Sequence, residues 1–199
     1  VPNQNRPAKR AKARLKSCPN GRKTRDLPQG PPSGARVNQV NFTPKECCDM
    51  KIVIGCDHAA LTLKDAVKAH LLELGHEVKD FGIYQAGEKC DYPEKAAEVA
   101  RYLRDGNAER GILICGTGVG MAIAANKVKG IRACCCSDTF SARMTRAHND
   151  ANILTFGERV VGQGLAMELV DAFLTTEFEG GRHQRRVDLI TKLEQEENS

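Results

Sequence analysis

The sequence has no apolar run long enough to cross a bilayer and no stretch resembling the apolar core of a signal peptide. No membrane partner is therefore expected. None of its nine cysteines stands in C-x-x-C spacing, which removes the commonest pattern for a structural zinc site or a dithiol redox centre. Cys134, Cys135 and Cys136 are consecutive in a strand-like run, and neighbouring strand side chains face opposite ways, so the three cannot converge on one metal. Reduced, mostly buried thiols in a cytoplasmic protein are the simpler expectation.

Proline is almost missing after the first quarter of the chain. Seven of the eight prolines lie in residues 1–49, with 11 Lys and Arg against 3 Asp and Glu. The other 150 residues carry 19 basic and 22 acidic side chains, so the overall charge of +5 belongs to the first segment. That segment has few large apolar residues and no sustained period, too little to offset the entropy of ordering, and it reads as a disordered, basic, proline-rich extension. Its run Lys9, Arg10, Lys12, Arg14, Lys16 has the composition of a nucleic-acid or nuclear-import patch, or of a transit peptide. The plainer reading, a solvated tail without a nucleic-acid partner, is the one taken. A third reading is translation upstream of a natural start at Met50, because Lys45-Glu46 can be encoded as AAGGAG, a ribosome-binding-like sequence, three codons ahead of it.

Residues 50–199 alternate short apolar runs with helical patterns, the signature of a parallel sheet covered by helices. Strands are expected at 51–56, 76–82, 110–115, 131–136 and 151–156. Helices are expected from 61 to a Gly75 cap, then at 93–105, 119–128, 138–147 and 162–175, with a polar terminal helix from 183. The terminal helix carries Val187, Ile190 and Leu193 on one stripe, which suits packing on its own domain or on a partner subunit.

In open α/β sheets, ligands bind beyond the carboxyl ends of the strands. Asp57, His58, the loop Cys115 to Gly120, and Ser137-Asp138 should gather there. The loop reads "CGTGVG". It lacks the third glycine of the dinucleotide fingerprint, where Met121 stands instead, and it follows the third strand rather than the first; no Gly-Lys-Ser/Thr follows for a P-loop. What remains is a glycine-lined turn at a helix N-terminus, whose amides suit an anion or one that forms during reaction. Cys115, at the strand end, is either a packed core thiol or a base whose thiolate the amide dipoles favour. His58 and His148 are either surface histidines or catalytic ones. Arg182 and Arg186, at i and i+4, either solvate a helix or grip a phosphate dianion.

Taken together, "GCDHAA", "DYP", "GILICGTGVGMAIAANK", "GIRA", "HNDANIL", "FGERVVG" and "EGGRHQRRV" resemble the type B ribose-5-phosphate isomerases, the family that includes the galactose-6-phosphate isomerase subunits. The resemblance runs from Met50 to about Glu194. It implies a Rossmann-like three-layer α/β/α sandwich with a five-stranded parallel sheet, a homodimer or dimer of dimers, and cofactor-free, metal-free interconversion of ribose 5-phosphate and ribulose 5-phosphate. Isomerisation of allose 6-phosphate or galactose 6-phosphate, or a non-catalytic sugar-phosphate-binding role, are the alternatives. By similarity, His148 assists ring opening, Asp57 and Thr117 hold sugar hydroxyls or relay a proton, and Cys115 carries a proton from C2 to C1. The amides of Gly116, Gly118, Val119 and Gly120 hold the enediolate oxygen. His58, Arg159, Arg182 and Arg186 take the phosphate, with Asn149 near the sugar. The segment carrying His148, Asn149 and Arg159 is expected to come from the partner subunit.

Overall fold

The computed structural model describes residues 49–197; the expectation of disorder over residues 1–49 concerns residues outside that range, Asp49 excepted. The order is β1 (Lys51–Cys56), α1 (Leu61–Glu73), β2 (Glu77–Asp80), α2 (Tyr92–Arg104), β3 (Arg110–Cys115) and α3 (Val119–Ala125). Then come β4 (Ala133–Cys135), α4 (Thr139–Asn149), β5 (Ile153–Gly157), α5 (Gln163–Thr175) and α6 (Arg182–Glu197). All strand pairs are parallel, in the order β2-β1-β3-β5-β4.

Right-handed crossovers decide which face each helix covers. The steps β1 to β2 and β4 to β5 run one way across the sheet and put α1 and α4 on one face. The steps β2 to β3 and β3 to β4 run the other way and put α2 and α3 on the opposite face. Two cores follow. Ile52, Ile54, Ile112, Ile114, Leu154 and Phe156 pack against Leu63, Val67 and Leu71 of α1 and Leu169 and Phe173 of α5. Val53, Leu113, Cys115 and Ile153 pack under Val99 and Leu103 of α2 and Met121 and Ala125 of α3. Burial on both faces explains why these strands read as continuous apolar runs rather than alternating ones.

The ends of the elements have local causes. Gly75 has φ +88° and closes α1, with its N–H on Leu72 O and that of His76 on Leu71 O, the paired bonds of a Schellman stop. The start of α1 has no side-chain cap of its own; Glu158, from the turn after β5, accepts the Leu63 N–H instead at 3.2 Å. Edge strand β4 is only three residues long. The Asn126 amide pairs with both the N–H and the C=O of Ala133, at 2.7 and 2.8 Å, standing in for a neighbouring strand.

Two expectations shift. Helix α4 runs on to Asn149, so His148 and Asn149 lie in its last turn rather than in a loop before β5. Asp150 stops it in the left-handed region (φ 46°), a conformation Asp tolerates, with its carboxylate held by Arg132 and Arg146 at 2.7 Å each. In β4, Cys134 is half-buried but Cys135 is exposed, and Cys136, just past the strand, is buried. Among the described residues no cysteine is disulfide-bonded and no helix is long and apolar enough to cross a membrane.

One charge is buried beneath the sheet edge. Lys64 is 1% exposed, and its ammonium meets Asp80 Oδ2 at 3.0 Å, Asp65 at 2.8 Å and Ile83 O at 3.2 Å. Burial alone would lower the Lys64 pKa; the Asp65 and Asp80 carboxylates outweigh it and hold it above its ordinary value. Burial likewise works to raise Asp80, but hydrogen bonds from Lys64, Lys68 and the Gly82 N–H hold it below the usual carboxylate range. The Asp80 contribution to stability is therefore present at neutral pH and is lost as pH falls through its depressed folded pKa. Replacing Asp80 by Ala leaves the buried Lys64 ammonium only the exposed Asp65 and Ile83 O and should cost about 3 kcal/mol in denaturant unfolding at pH 7, the cost shrinking as pH is lowered through the depressed Asp80 pKa.

Candidate active site

In the order β2-β1-β3-β5-β4, the direction in which successive strands are added reverses between β1 and β3, and a crevice opens beyond their carboxyl ends. A cavity of about 290 Å³ lies there, lined by Asp57, His58, Ala59, Tyr92, Cys115, Gly116, Thr117, Gly120 and Arg159. Asp57 continues β1; it is buried, its N–H donates to Ile114 O, and its Oδ1 accepts the Ala59 N–H at 2.9 Å. His58 is exposed, with Nδ1 3.4 Å from Cys90 O.

Cys115 ends β3, buried at the cavity floor. Its sulfur accepts the Gly118 N–H at 3.1 Å, a bond that a thiolate accepts more strongly than a thiol. Gly118 has φ +83°, and a Cβ there would meet the Phe156 Cα at 2.6 Å, so only glycine fits both the turn and the close approach to β5. Thr155 Oγ1 donates to Gly118 O at 3.0 Å, and Gly157 lies against the Thr117 backbone. The first intrahelical bond of α3 is Ala122 N–H to Gly118 O, leaving the N–H groups of Val119 and Gly120 without helical acceptors, free for an anion. Thr117 and Val119 are exposed beside them.

The Arg159 N–H donates to Gly116 O, and its guanidinium stands over that glycine, 3.6 Å from where a Cβ would be. This corrects one expectation. Arg159 lines the same cavity as Cys115 of its own chain, whereas His148 and Asn149 lie at the other end of β5. The strand separates them, and five residues at about 3.3 Å each put the two ends of the segment roughly 15 Å apart. Arg182 and Arg186 also lie at that far edge, because α5 carries the chain back across the sheet before α6 starts. Asp138, grouped with the site residues by sequence, caps α4 instead, accepting the Ser141 N–H at 2.7 Å.

At the far edge, His148 and His183 stack face to face, ring centres 4.2 Å apart and planes 2° from parallel. Glu179 Oε2 lies 3.9 Å from His148 Nε2 and 3.5 Å from His183 Nε2, and the Arg182 Nε–H donates to His183 Nε2 at 3.2 Å. The three donors are close enough together to suggest a metal site. Parallel rings, however, aim their in-plane lone pairs side by side instead of at one point, and Arg182 already occupies one of them.

Sequence reasoning missed Tyr92, Glu179 and His183. Tyr92 sits inside the quoted "DYP", and its ring fills the space where a Gly120 side chain would stand; Pro93 beside it signalled a helix start on the cavity edge. His183 was hidden between the two arginines that flank it.

A family model described as Ribose/Galactose Isomerase matches residues 52–190. The chain is 53% identical over 148 residues to ribose-5-phosphate isomerase B of Escherichia coli, covering 74% of this chain and 99% of that protein. Among solved structures, ribose-5-phosphate isomerase B of Clostridium thermocellum matches with a TM-score of 0.72 and 51% identity, over 74% of this chain and 99% of that one. The Mycoplasma genitalium enzyme of the same name, solved with bound ribulose 5-phosphate, matches with a TM-score of 0.70 and 42% identity, over 73% and 97%.

Replacing Gly118 by Ala should cost about 1 to 2 kcal/mol for the left-handed backbone alone. By shifting the loop against Phe156 it should also lower turnover on the order of a hundredfold. A thermal melt and steady-state kinetics on one preparation check both effects.

Proposed function

The chain belongs to the ribose/galactose isomerase family, and from that premise we propose that it interconverts ribose 5-phosphate and ribulose 5-phosphate through an enediolate. The observation that carries the reading is the Cys115 sulfur, held by the Gly118 N–H on the floor of a cavity that also contains Asp57, Thr117, His58 and Arg159. The reaction oxidises C2 and reduces C1 of one molecule, so its electron balance closes within the substrate.

Ring opening removes the proton from the anomeric hydroxyl and delivers one to the ring oxygen, the task of His148. The Cys115 thiolate then takes the C2 proton, and the electron pair moves onto the C1 carbonyl oxygen as an enediolate. The amides of Gly116, Val119 and Gly120 face that charge, which the ground state lacks, so their contribution is to rate rather than to binding. The proton returns to C1 from Cys115, while Asp57 and Thr117 pass the O2 proton to O1. Gly118 serves differently from its neighbours, because its N–H is committed to the sulfur.

His148 and Asn149 cannot reach the cavity of their own chain, so each site takes these residues from a second copy. Arg182 and Arg186 come with them and join His58 and Arg159 on the phosphate. The homodimer reading is supported by α6: Val187 is buried on its own domain, while Ile190 and Leu193 of the same stripe stay exposed and line a groove with Ile131 and Asn149. The cytoplasm suits the free thiols.

Cys115→Ala should abolish isomerisation, by about a thousandfold or more, while leaving sugar-phosphate affinity within about threefold in calorimetry. Lost affinity with retained turnover would contradict the assignment. Arg182→Ala and Arg186→Ala should each raise KM by roughly tenfold or more with a smaller change in kcat, since charge-assisted bonds to phosphate form before chemistry begins; unchanged KM in both would remove the phosphate assignment.

A further inference from the structure

His183 is buried at 4% exposure between the two groups that α4 and α6 would bring to a second copy. One face of its ring lies flat on His148, and its Nε2 accepts the Arg182 Nε–H. The bond fixes the ring's state. An Nε2 that accepts carries a lone pair, so the proton of the neutral ring sits on Nδ1, which is buried without a partner. Burial, then the charges of His148 and Arg182, hold the imidazole below its ordinary pKa, against the opposing pull of Glu179. A cationic His183 would add a further positive charge beside Arg182 and Arg186; a neutral ring stacked at 4.2 Å on His148 does not.

We propose that His183 is a positioning residue with two separable parts: its face sets the orientation of the His148 imidazole for ring opening, and its Nε2 sets the Arg182 guanidinium for the phosphate. The inference rests on the reading that His148 opens the sugar ring. Both groups project from one rigid corner, where the Glu179 N–H also donates to Ala147 O at 3.0 Å and joins the segment before α6 to the end of α4. His148 and Arg182 therefore approach the partner's cavity as one unit, and the spacing between them is set by the ring that separates them.

The test uses a property of the ketose. Ribulose 5-phosphate cannot close a five-membered ring, because its O5 carries the phosphate, so proton exchange at its C1 in D2O needs Cys115 but no ring opening. The full-length protein is compared with His183→Ala, which removes both parts, and His183→Phe, which keeps the flat face and removes the acceptor. His183→Ala should slow turnover of ribose 5-phosphate by about tenfold or more while C1 exchange, at saturating ribulose 5-phosphate, stays within about twofold. His183→Phe should keep kcat within about threefold and raise KM roughly fivefold. Equal slowing of turnover and exchange in His183→Ala would overturn the proposal, as would an unchanged KM in His183→Phe. If His183→Ala does not fold, the His183→Phe kinetics alone decide the acceptor's role, and His183→Tyr, with a retained face, should behave as His183→Phe. Absence of ribose 5-phosphate turnover by the unsubstituted protein would instead contradict the proposed reaction.

Discussion

A parallel sheet makes the chain begin every strand at the same edge, so each helix must carry it back across the full height of the sheet. Every strand therefore ends at one edge and every crossover helix at the other. Here that constraint divides the residues assigned to the proposed site. Those following strand ends, Asp57, His58, Cys115 to Gly120 and Arg159, gather in one cavity. Those at or beyond helix ends, His148, Asn149, Arg182 and Arg186, gather at the opposite edge around the His148 and His183 stack. In the proposed dimer the two groups are complementary halves of one site, and no side chain is long enough to join them within one chain.

The cavity half depends on close backbone approach. The glycine loop fits because Gly118 and Gly157 have no side chains where β5 and the loop touch, and because Thr155, buried in β5, reaches Gly118 O. That contact aims the Gly118 N–H at the Cys115 sulfur. The same contacts fix the neighbouring Val119 and Gly120 amides, and in the proposed reaction preorganised donors of that kind need no rearrangement when charge develops on the enediolate. The far half is built from side chains instead: Asp150 bridges Arg132 and Arg146 and ends α4 so that His148 faces outward.

Most of the fold could be read directly. Continuous apolar runs marked β1, β3 and β5, since strands buried on both faces need no alternation to be recognised; the edge strands β2 and β4, less buried, were found by their place between helical patterns, and Gly75 marked the end of α1 as expected. Boundaries moved where side chains from distant segments intervened: α4 ends two residues later than expected, where Asp150 is held by Arg132, eighteen residues earlier. Residue types suggested an anion-holding loop and left Cys115 as either a packed thiol or a base, and the resemblance supplied the proposed roles. Which residues share a cavity was not legible, because Arg159 and His148 are neighbours in sequence yet lie at opposite ends of β5. His183 and Glu179 were equally hidden, since a stacked ring is recognised only by what it lies on.

The central claim is that one catalytic site takes Cys115 from one subunit and His148 from another. The most direct measurement is complementation: Cys115→Ala and His148→Ala, each inactive alone on ribose 5-phosphate, are mixed, unfolded and refolded together. A mixed dimer has one site lacking both groups and one site with both, so random pairing should restore about a quarter of the unsubstituted activity per chain. Mixed dimers that form, as shown by mass spectrometry, but remain inactive would contradict the account.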